Sequence, residues 1–222
     1  MSPRNLELAV KKIGRELVAC TALCEGIFRA QNTGVMPRCL ILERSDAQGM
    51  GCLAAGINPA RSSEAERAYY RLHGPTYDSV VAYWREHVSR IPYYQRLRRL
   101  IDQLHMPGPI LWSDLAKCEN APDVKSPIPL QTLRRCSGRF LYKEIRLLPK
   151  AWPILAVGIE AYKALAYMVP ERTVIGVPHP TGSRGQFFRL FNGDLLWPDI
   201  SAAAHTALLS AEPVVLWLQA SR

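Results

Sequence analysis

The sequence predicts an α/β fold, a three-layer α/β/α sandwich around a central, mainly parallel sheet of four strands. Short apolar stretches typical of strands alternate along the chain with longer segments whose apolar residues recur at helical spacing. The strand-like stretches are apolar throughout, which is typical of parallel strands that helices cover on both faces. The chain has 222 residues, 48% of them hydrophobic, which suffices for one core.

The N-terminal part is predicted to be helical over residues 5–31, because its apolar residues recur at helical spacing: Leu6, Val10, Ile13, Leu17 and Leu23. The segment RCLILE (38–43) is predicted as a short strand or an extended approach to the core. The tail from Asp199 is predicted to be mostly Ala- and Leu-rich helix, interrupted at Pro213.

Four core strands and the helices between them form the rest of the pattern. The strands are predicted at residues 51–57, 108–115, 153–158 and 172–178. Helices are predicted at 62–72, which opens with a serine cap and an acidic first turn, then as two segments separated by Pro92, at 129–148, and after residue 158. We expect one domain over residues 1–222, with an N-terminal helix and cysteine pair (1–50), a core (51–191) and a C-terminal helical tail (192–222).

The charge of the chain favours a polyanionic partner, with nucleic acid before membrane. The formal net charge is +9, from 28 Lys and Arg against 19 Asp and Glu. The N-terminus has scattered charges and no apolar core of a signal peptide, and no run approaches the roughly 20 apolar residues of a membrane span. We therefore expect a cytoplasmic monomer without a membrane partner. In that compartment six cysteines are free thiols or metal ligands rather than disulfides.

Polar residues follow three of the predicted strands at their carboxyl ends, where α/β sheets bind ligands. Asn58 follows the first strand within GINPA, Asp114 ends the second within SDLAKC, and His179 follows the fourth within PHPTGS. The prolines on either side of His179 fix their own φ, and Pro180 favours an extended histidine. We expect these three residues to face one crevice.

These motifs, in this order, resemble those of the uracil-DNA glycosylase superfamily. GINPA, LWSDLAKC, LLPKAWPILAVGIEAYKAL and PHPTGS support the resemblance, which extends from the N-terminal helix to about residue 191. The GINP form is similar to the mismatch-specific and single-strand-selective branches, whereas the cysteine layout is similar to the iron–sulfur branch. The resemblance implies a DNA base-excision glycosylase that flips uracil, or a related deaminated or modified base, out of DNA and hydrolyses its N-glycosidic bond.

The resemblance also implies roles for single residues. His179 hydrogen-bonds the base oxygen on which negative charge develops. Asn58 orients the attacking water through its amide oxygen. The alternative interpretation is that Asn58 is a turn residue before Pro59. Gly56 lines the base pocket, and either Tyr69 or Tyr70 stacks on the flipped base while the other packs in the core.

Asp114 departs from the family, which has an asparagine at this strand end. An ionised aspartate can only accept a hydrogen bond, so it suits the amino group of cytosine or adenine rather than O4 of uracil. A protonated aspartate can still donate to a carbonyl. The sequence leaves open a raised pKa for this carboxyl, a substrate other than uracil, or a structural aspartate.

Four of the cysteines resemble the ligands of the iron–sulfur branch. Cys20 and Cys24 lie four residues apart, on one face of the predicted helix, Cys118 follows the second strand, and Cys136 lies on the next helix. Their layout implies a [4Fe–4S] cluster, although three residues separate the first pair where the family usually has two. Zinc and buried free thiols remain alternatives. Cys39 and Cys52 are interpreted as small apolar residues near strands.

The loop after His179 is predicted to contact DNA through Gly182, Ser183 and Arg184. In the family this loop probes the minor groove and fills the gap that the flipped base leaves. The neighbouring phenylalanines are predicted either to assist it or to form the buried face of a short helix. A second hypothesis for the whole chain is a non-catalytic or substrate-shifted nucleic-acid-binding relative with a structural cluster.

Overall fold

The structure, a computed structural model, describes residues 3–122 and 127–220. The strands within these ranges are β1 (Ile27–Phe28), β2 (Leu40–Glu43), β3 (Cys52–Gly56), β4 (Ile110–Asp114), β5 (Glu119–Asn120), β6 (Ile154–Val157), β7 (Val174–Val177), β8 (Phe191–Asn192), β9 (Leu195–Leu196) and β10 (Val215–Trp217). The α-helices are α1 (Pro3–Val18), α2 (Glu64–His73), α3 (Tyr77–Tyr83), α4 (Pro92–Gln103), α5 (Leu130–Cys136), α6 (Tyr142–Leu147), α7 (Ile159–Met168) and α8 (Pro198–Leu209).

A central, mostly parallel sheet of six strands, flanked by helices, confirms the predicted α/β class. Its strand order is β10-β7-β6-β3-β4-β2. β3 pairs in parallel with β6, β6 with β7, and β7 with β10. The four strands that the sequence predicts are β3, β4, β6 and β7, and all four are buried along their whole length. Their continuous apolar composition follows from this burial.

The sheet has six strands rather than four, because one strand is added at each edge. β2 corresponds to the strand option for residues 38–43. β10 corrects the prediction of a helical tail: α8 ends at Leu209, and the chain beyond Pro213 pairs with β7, with Val215 opposite Val174. A short run of Val, Leu and Trp suits a strand better than a helix once a neighbouring strand is present.

The first helix is shorter than predicted, since α1 ends at Val18 and not near residue 31. Carbonyl groups at the helix end accept hydrogen bonds from side chains further along the chain instead of from another helical turn. The Gln31 side-chain amide donates to the Val18 carbonyl at 2.7 Å, and the Arg29 guanidinium donates to the carbonyl of Cys20. Cys20 and Cys24 therefore lie in the loop after α1, and their predicted place on a helix face is wrong.

The remaining helices agree with the predictions. Ser63 caps α2 and accepts a hydrogen bond from the Glu66 backbone N–H, and Pro92 is the first residue of α4. α5 and α6 are joined by a π-helical turn over Ser137–Leu141, and together they form the helical segment predicted at 129–148. No helix within the described ranges combines the length and the apolar character that a membrane crossing needs.

The chain divides into two compact units. The cysteine unit comprises Met1–Leu42, Asn58–Val88 and Trp112–Pro149, and it contains Asn58, Asp114 and all four predicted cluster cysteines. The histidine unit comprises Glu43–Ile57, Ser89–Leu111 and Lys150–Arg222, and it contains His179 and the loop that follows it.

Candidate functional site

The cysteine unit brings together the four predicted cluster ligands. Cys20 and Cys24 come from the loop after α1, Cys118 follows β4, and Cys136 is the last residue of α5. Burial raises the pKa of the Cys118 thiol to about 12, and the charges of the other three thiols add to this rise. Burial also raises the pKa of Cys136, again with contributions from Cys24 and Cys20. Electrostatic interactions therefore link Cys118 to the other three thiols, and Cys136 to Cys20 and Cys24.

Contacts of the loop after α1 explain why these four residues converge. The Arg135 guanidinium of α5 donates to the Leu23 carbonyl at 3.0 Å, and the Thr132 hydroxyl donates to the Glu25 carbonyl at 2.9 Å. β1 pairs with β5 in antiparallel orientation, directly after Cys118. The loop with the cysteine pair is thus attached both to α5 and to the chain beyond β4.

Hydrogen-bond donors approach two of the sulfur atoms. The Lys117 backbone N–H donates to Cys136 Sγ at 3.3 Å, and the Arg139 guanidinium donates to Cys20 Sγ at 3.4 Å. Cys24 and Cys118 both line a pocket of about 390 Å³, which the loop after α1 forms. Donors of this kind stabilise negative charge on sulfur and are a usual feature of iron–sulfur sites.

The four cysteines have the thiol ligands that a [4Fe–4S] cluster requires, and the cluster stays a prediction. Within residues 3–122 and 127–220, no set of three or more His, Cys, Asp or Glu side chains is arranged to hold a metal ion. That finding concerns a single ion, whereas a [4Fe–4S] cluster binds each of its four thiolates to a different iron. Buried thiols that raise one another's pKa ionise readily only when a metal compensates their charge.

The other two cysteines have different surroundings. Burial raises the pKa of Cys52, in β3, to about 12. Burial also raises the pKa of Cys39, and the charge of Asp114 and a hydrogen bond to that carboxylate raise it further. The Cys39 thiol therefore stays protonated and donates a hydrogen bond to the Asp114 carboxylate. It is more than the small apolar residue that the sequence suggests, because it contacts a predicted site residue.

Asn58 and Asp114 are both held firmly in the cysteine unit. Asp114 is the last residue of β4 and is only 6% exposed. Asn58 is half-buried, and its Nδ2 donates to Asn120 Oδ1 at 3.0 Å and to the Pro59 carbonyl at 3.2 Å. Asn120 is a contact that sequence reasoning missed, since 62 residues separate it from Asn58.

The structure distinguishes the two tyrosines proposed for base stacking. Tyr70 is 2% exposed, and its hydroxyl donates to the Glu66 carboxylate at 3.3 Å, so it belongs to the core. Tyr69 is half-buried in an aromatic cluster, with its ring centroid 4.2 Å from that of His73 and 5.0 Å from that of Tyr83. Tyr69 is therefore the better candidate of the two.

His179 in the histidine unit is held in one protonation state by the backbone that follows it. Its Nδ1 accepts a hydrogen bond from the Gly182 N–H at 2.9 Å and a weaker one from the Thr181 N–H at 3.3 Å. A backbone N–H can only donate, so Nδ1 has no proton and Nε2–H is the donor of a neutral ring. Burial lowers the pKa of His179, which also favours the neutral form.

The loop after His179 combines local structural roles with exposed groups. A side chain at Gly182 would bring its Cβ to 3.1 Å from His179 Nδ1, so this glycine permits the close approach of the backbone. Ser183 Oγ accepts from the Phe187 N–H at 3.1 Å and thus caps the turn. Arg184 is exposed and has a left-handed backbone, with φ of 50°. Phe187 is buried, as the predicted buried face requires, whereas Phe188 is 53% exposed, and its contact with DNA stays a prediction.

Two neighbours of this loop come from α4 and were missed by sequence reasoning. The ring centroid of Tyr93 lies 5.2 Å from that of His179. The Arg96 guanidinium lies 4.6 Å from the centre of the Phe188 ring and donates to the Pro180 carbonyl at 2.8 Å. In the sequence, only the basic and aromatic composition of YYQRLRRL indicates that α4 contributes side chains beside the loop after His179. Along the same helix, carboxylates pair with Arg98 and Arg99.

No family model, no curated protein and no solved structure matches this chain. That Asn58, Asp114 and His179 face one crevice stays a prediction.

Proposed function

We propose that this protein is a DNA base-excision glycosylase that flips uracil, or a related deaminated or modified base, out of DNA and hydrolyses its N-glycosidic bond. The main support is the fixed, neutral imidazole of His179, whose Nδ1 accepts from Gly182 and Thr181 and whose Nε2–H remains as a donor. Bond cleavage leaves negative charge on the base, and a donor that is already oriented stabilises this charge without reorganising.

In this proposal Asn58 orients the attacking water. An amide is too weak a base to remove a proton by itself, but its oxygen can hold a water molecule in line with the sugar. The Nδ2 end of the side chain is already occupied by Asn120 and Pro59. The oxygen is therefore the end that we assign to water.

A [4Fe–4S] cluster and a DNA partner complete the proposal. When bound, the cluster supplies a cross-link between the loop after α1, the chain after β4 and the end of α5. DNA is favoured by the net charge of +9 and by the exposed Arg184 and Phe188 in the loop after His179. We propose a cytoplasmic location, because none of the six cysteines forms a disulfide and a reducing compartment keeps thiols and thiolate ligands reduced.

A panel of oligonucleotides tests the activity. Single- and double-stranded DNA containing uracil, hypoxanthine, xanthine or a mismatched base is incubated with the purified protein and then treated with alkali. Alkali-labile breaks at the modified base support the proposal. Binding without breaks on every substrate contradicts it and supports a non-catalytic nucleic-acid-binding protein instead.

Asp114 is proposed to select the base. It is buried and accepts a hydrogen bond from the Cys39 thiol, and when it is ionised it can only accept. Such a carboxylate accepts from an amino group but repels the O4 oxygen of uracil. With an ionised Asp114, uracil is a poor substrate and a base with an amino group at that position is preferred, whereas a protonated Asp114 reads uracil through its hydroxyl.

We expect Asp114→Asn to raise the rate of uracil release, because an asparagine can donate to O4. Uracil release by both proteins is measured from about pH 5 to about pH 9, since an ionised acceptor loses function as pH falls whereas a protonated donor loses it as pH rises. Asp194→Asn removes the same charge at an exposed residue and serves as the control. An unchanged rate and an unchanged pH profile in Asp114→Asn would show that Asp114 does not contact the base.

A further inference from the structure

We infer that Asn120 is a positioning residue, which fixes the Asn58 side chain so that its amide oxygen faces the attacking water. This inference rests on the proposed glycosylase function. It assigns a role to the short strand β5, which immediately follows the cluster ligand Cys118 and which no motif in the sequence singles out.

The orientation of the Asn58 amide follows from its two partners. Asn120 Oδ1 and the Pro59 carbonyl lie 3.0 and 3.2 Å from the same nitrogen. The Pro59 carbonyl can only accept, so the atom facing it must be the Nδ2 donor and not the oxygen. Oδ1 consequently lies at the opposite end of the amide. Without an acceptor at position 120, one of the two contacts that hold this orientation is lost.

β5 is well suited to hold Asn58, because buried contacts fix Glu119, the residue directly before Asn120. Glu119 is 2% exposed, and its carboxylate accepts from the Ser62 backbone N–H at 2.7 Å and from the Arg38 guanidinium at 3.1 Å. Arg38 also pairs with Glu66 at 3.1 Å. Residues 58–62 are thus attached to β5 at both ends, by Asn120 at the first residue and by Glu119 at the last.

β5 also connects this contact to the predicted cluster. It begins one residue after Cys118, and it pairs with β1, which follows the loop of Cys20 and Cys24. In the backbone register Ile27 lies opposite Asn120 and Phe28 opposite Glu119. The segment that orients Asn58 is therefore attached directly to the loops that provide three of the four thiols.

The inference predicts a specific pattern in two variants of Asn120. Asn120→Leu has a similar volume but no acceptor, and we expect base release in single turnovers to slow about a hundredfold because the water is no longer aligned. Asn120→Asp keeps an acceptor for Nδ2, and we expect it to retain most of the activity. DNA binding should be similar in both, since Asn58 acts on the water and not on the DNA backbone. Asn192→Leu, at an exposed residue of β8, is the matched control.

Two further measurements separate positioning from a general loss of structure. In the Asn58→Ala background, Asn120→Leu should cause no additional loss of rate, because the residue through which it acts is absent. A crystal structure of Asn120→Leu should show the Asn58 amide in a different orientation. Wild-type activity in Asn120→Leu, equal losses in the Leu and Asp variants, or an unmoved Asn58 amide would each overturn the inference. If the natural protein releases no base at all, the proposed function fails, while the crystal structure still tests the contact.

Discussion

We expect the purified protein to be brown from its proposed [4Fe–4S] cluster, and replacement of Cys118 with serine to remove this colour and most of the folded yield. Cys118 is buried in the cysteine unit between β4 and β5, and its thiol interacts with those of Cys136, Cys20 and Cys24. A cluster that loses one of four thiolates is bound weakly, and in a site assembled from three separate segments the free energy of cluster binding contributes to the free energy of folding. Visible absorption, iron and sulfide content and thermal unfolding measure the effect.

The matched control is Cys52→Ala, which removes an equally buried thiol from β3. We expect this variant to lose some stability, as a core residue does when it loses a side-chain atom, but to keep its colour and its iron. Metal analysis that finds zinc in the natural protein would contradict the iron–sulfur assignment. So would a metal-free protein in which all six thiols are titratable.

Replacement of Cys118 should also change the position of Asn58, because β5 connects the two residues. Cys118, Glu119 and Asn120 are consecutive, and the last two hold the loop that begins at Asn58. Under the proposed function, a cluster in this position would act on catalysis by fixing a backbone segment, without contacting the substrate. Any Cys118→Ser protein that does fold should therefore resemble Asn120→Leu, with slow base release and nearly normal DNA binding.

The core of the fold could be predicted from the sequence because its signals are local. β3, β4, β6 and β7 are continuous apolar runs, and the start of α2 is marked by Ser63 and its acidic first turn. The two main errors concern elements whose limits depend on distant partners. α1 ends at Val18, where the Gln31 side-chain amide donates to the Val18 carbonyl in place of a backbone N–H from a further helical turn. β10 forms because it pairs with the edge of β7. Helical spacing contains no information on either partner.

The candidate site shows the same division between local and distant signals. Strand ends and flanking prolines identify Asn58, Asp114 and His179, because these features lie within a few residues of each side chain. Their partners were not predictable in this way: Cys39 for Asp114 and Asn120 for Asn58 lie more than 60 residues away along the chain. The contacts that set the protonation and orientation of the site residues therefore required the structure.

We expect the replacement of His179 to slow base release most. Because Nδ1 accepts from the backbone, Nε2–H is the donor to the negative charge that develops on the base. His179→Ala should reduce the rate about 100- to 1,000-fold, the usual effect of removing one donor to a developing anion, while DNA binding stays nearly intact. Single-turnover release of the best base from the oligonucleotide panel measures the rate, and fluorescence anisotropy measures binding. His205→Ala, on α8, is the matched control.

The pH dependence gives a second and independent test of His179. Burial lowers the pKa of the imidazole, and a proton on Nδ1 would face the backbone N–H groups of Gly182 and Thr181 that now donate to it. The neutral ring is thus the active form, and activity should fall as pH drops through a pKa below the ordinary histidine value of about 6.5. His179→Ala should lose this acid limb together with its rate, whereas His205→Ala should keep both. A wild-type rate in His179→Ala, or an acid limb that survives the substitution, would show that the ring does not touch the departing base and that its backbone contacts serve only to shape the loop.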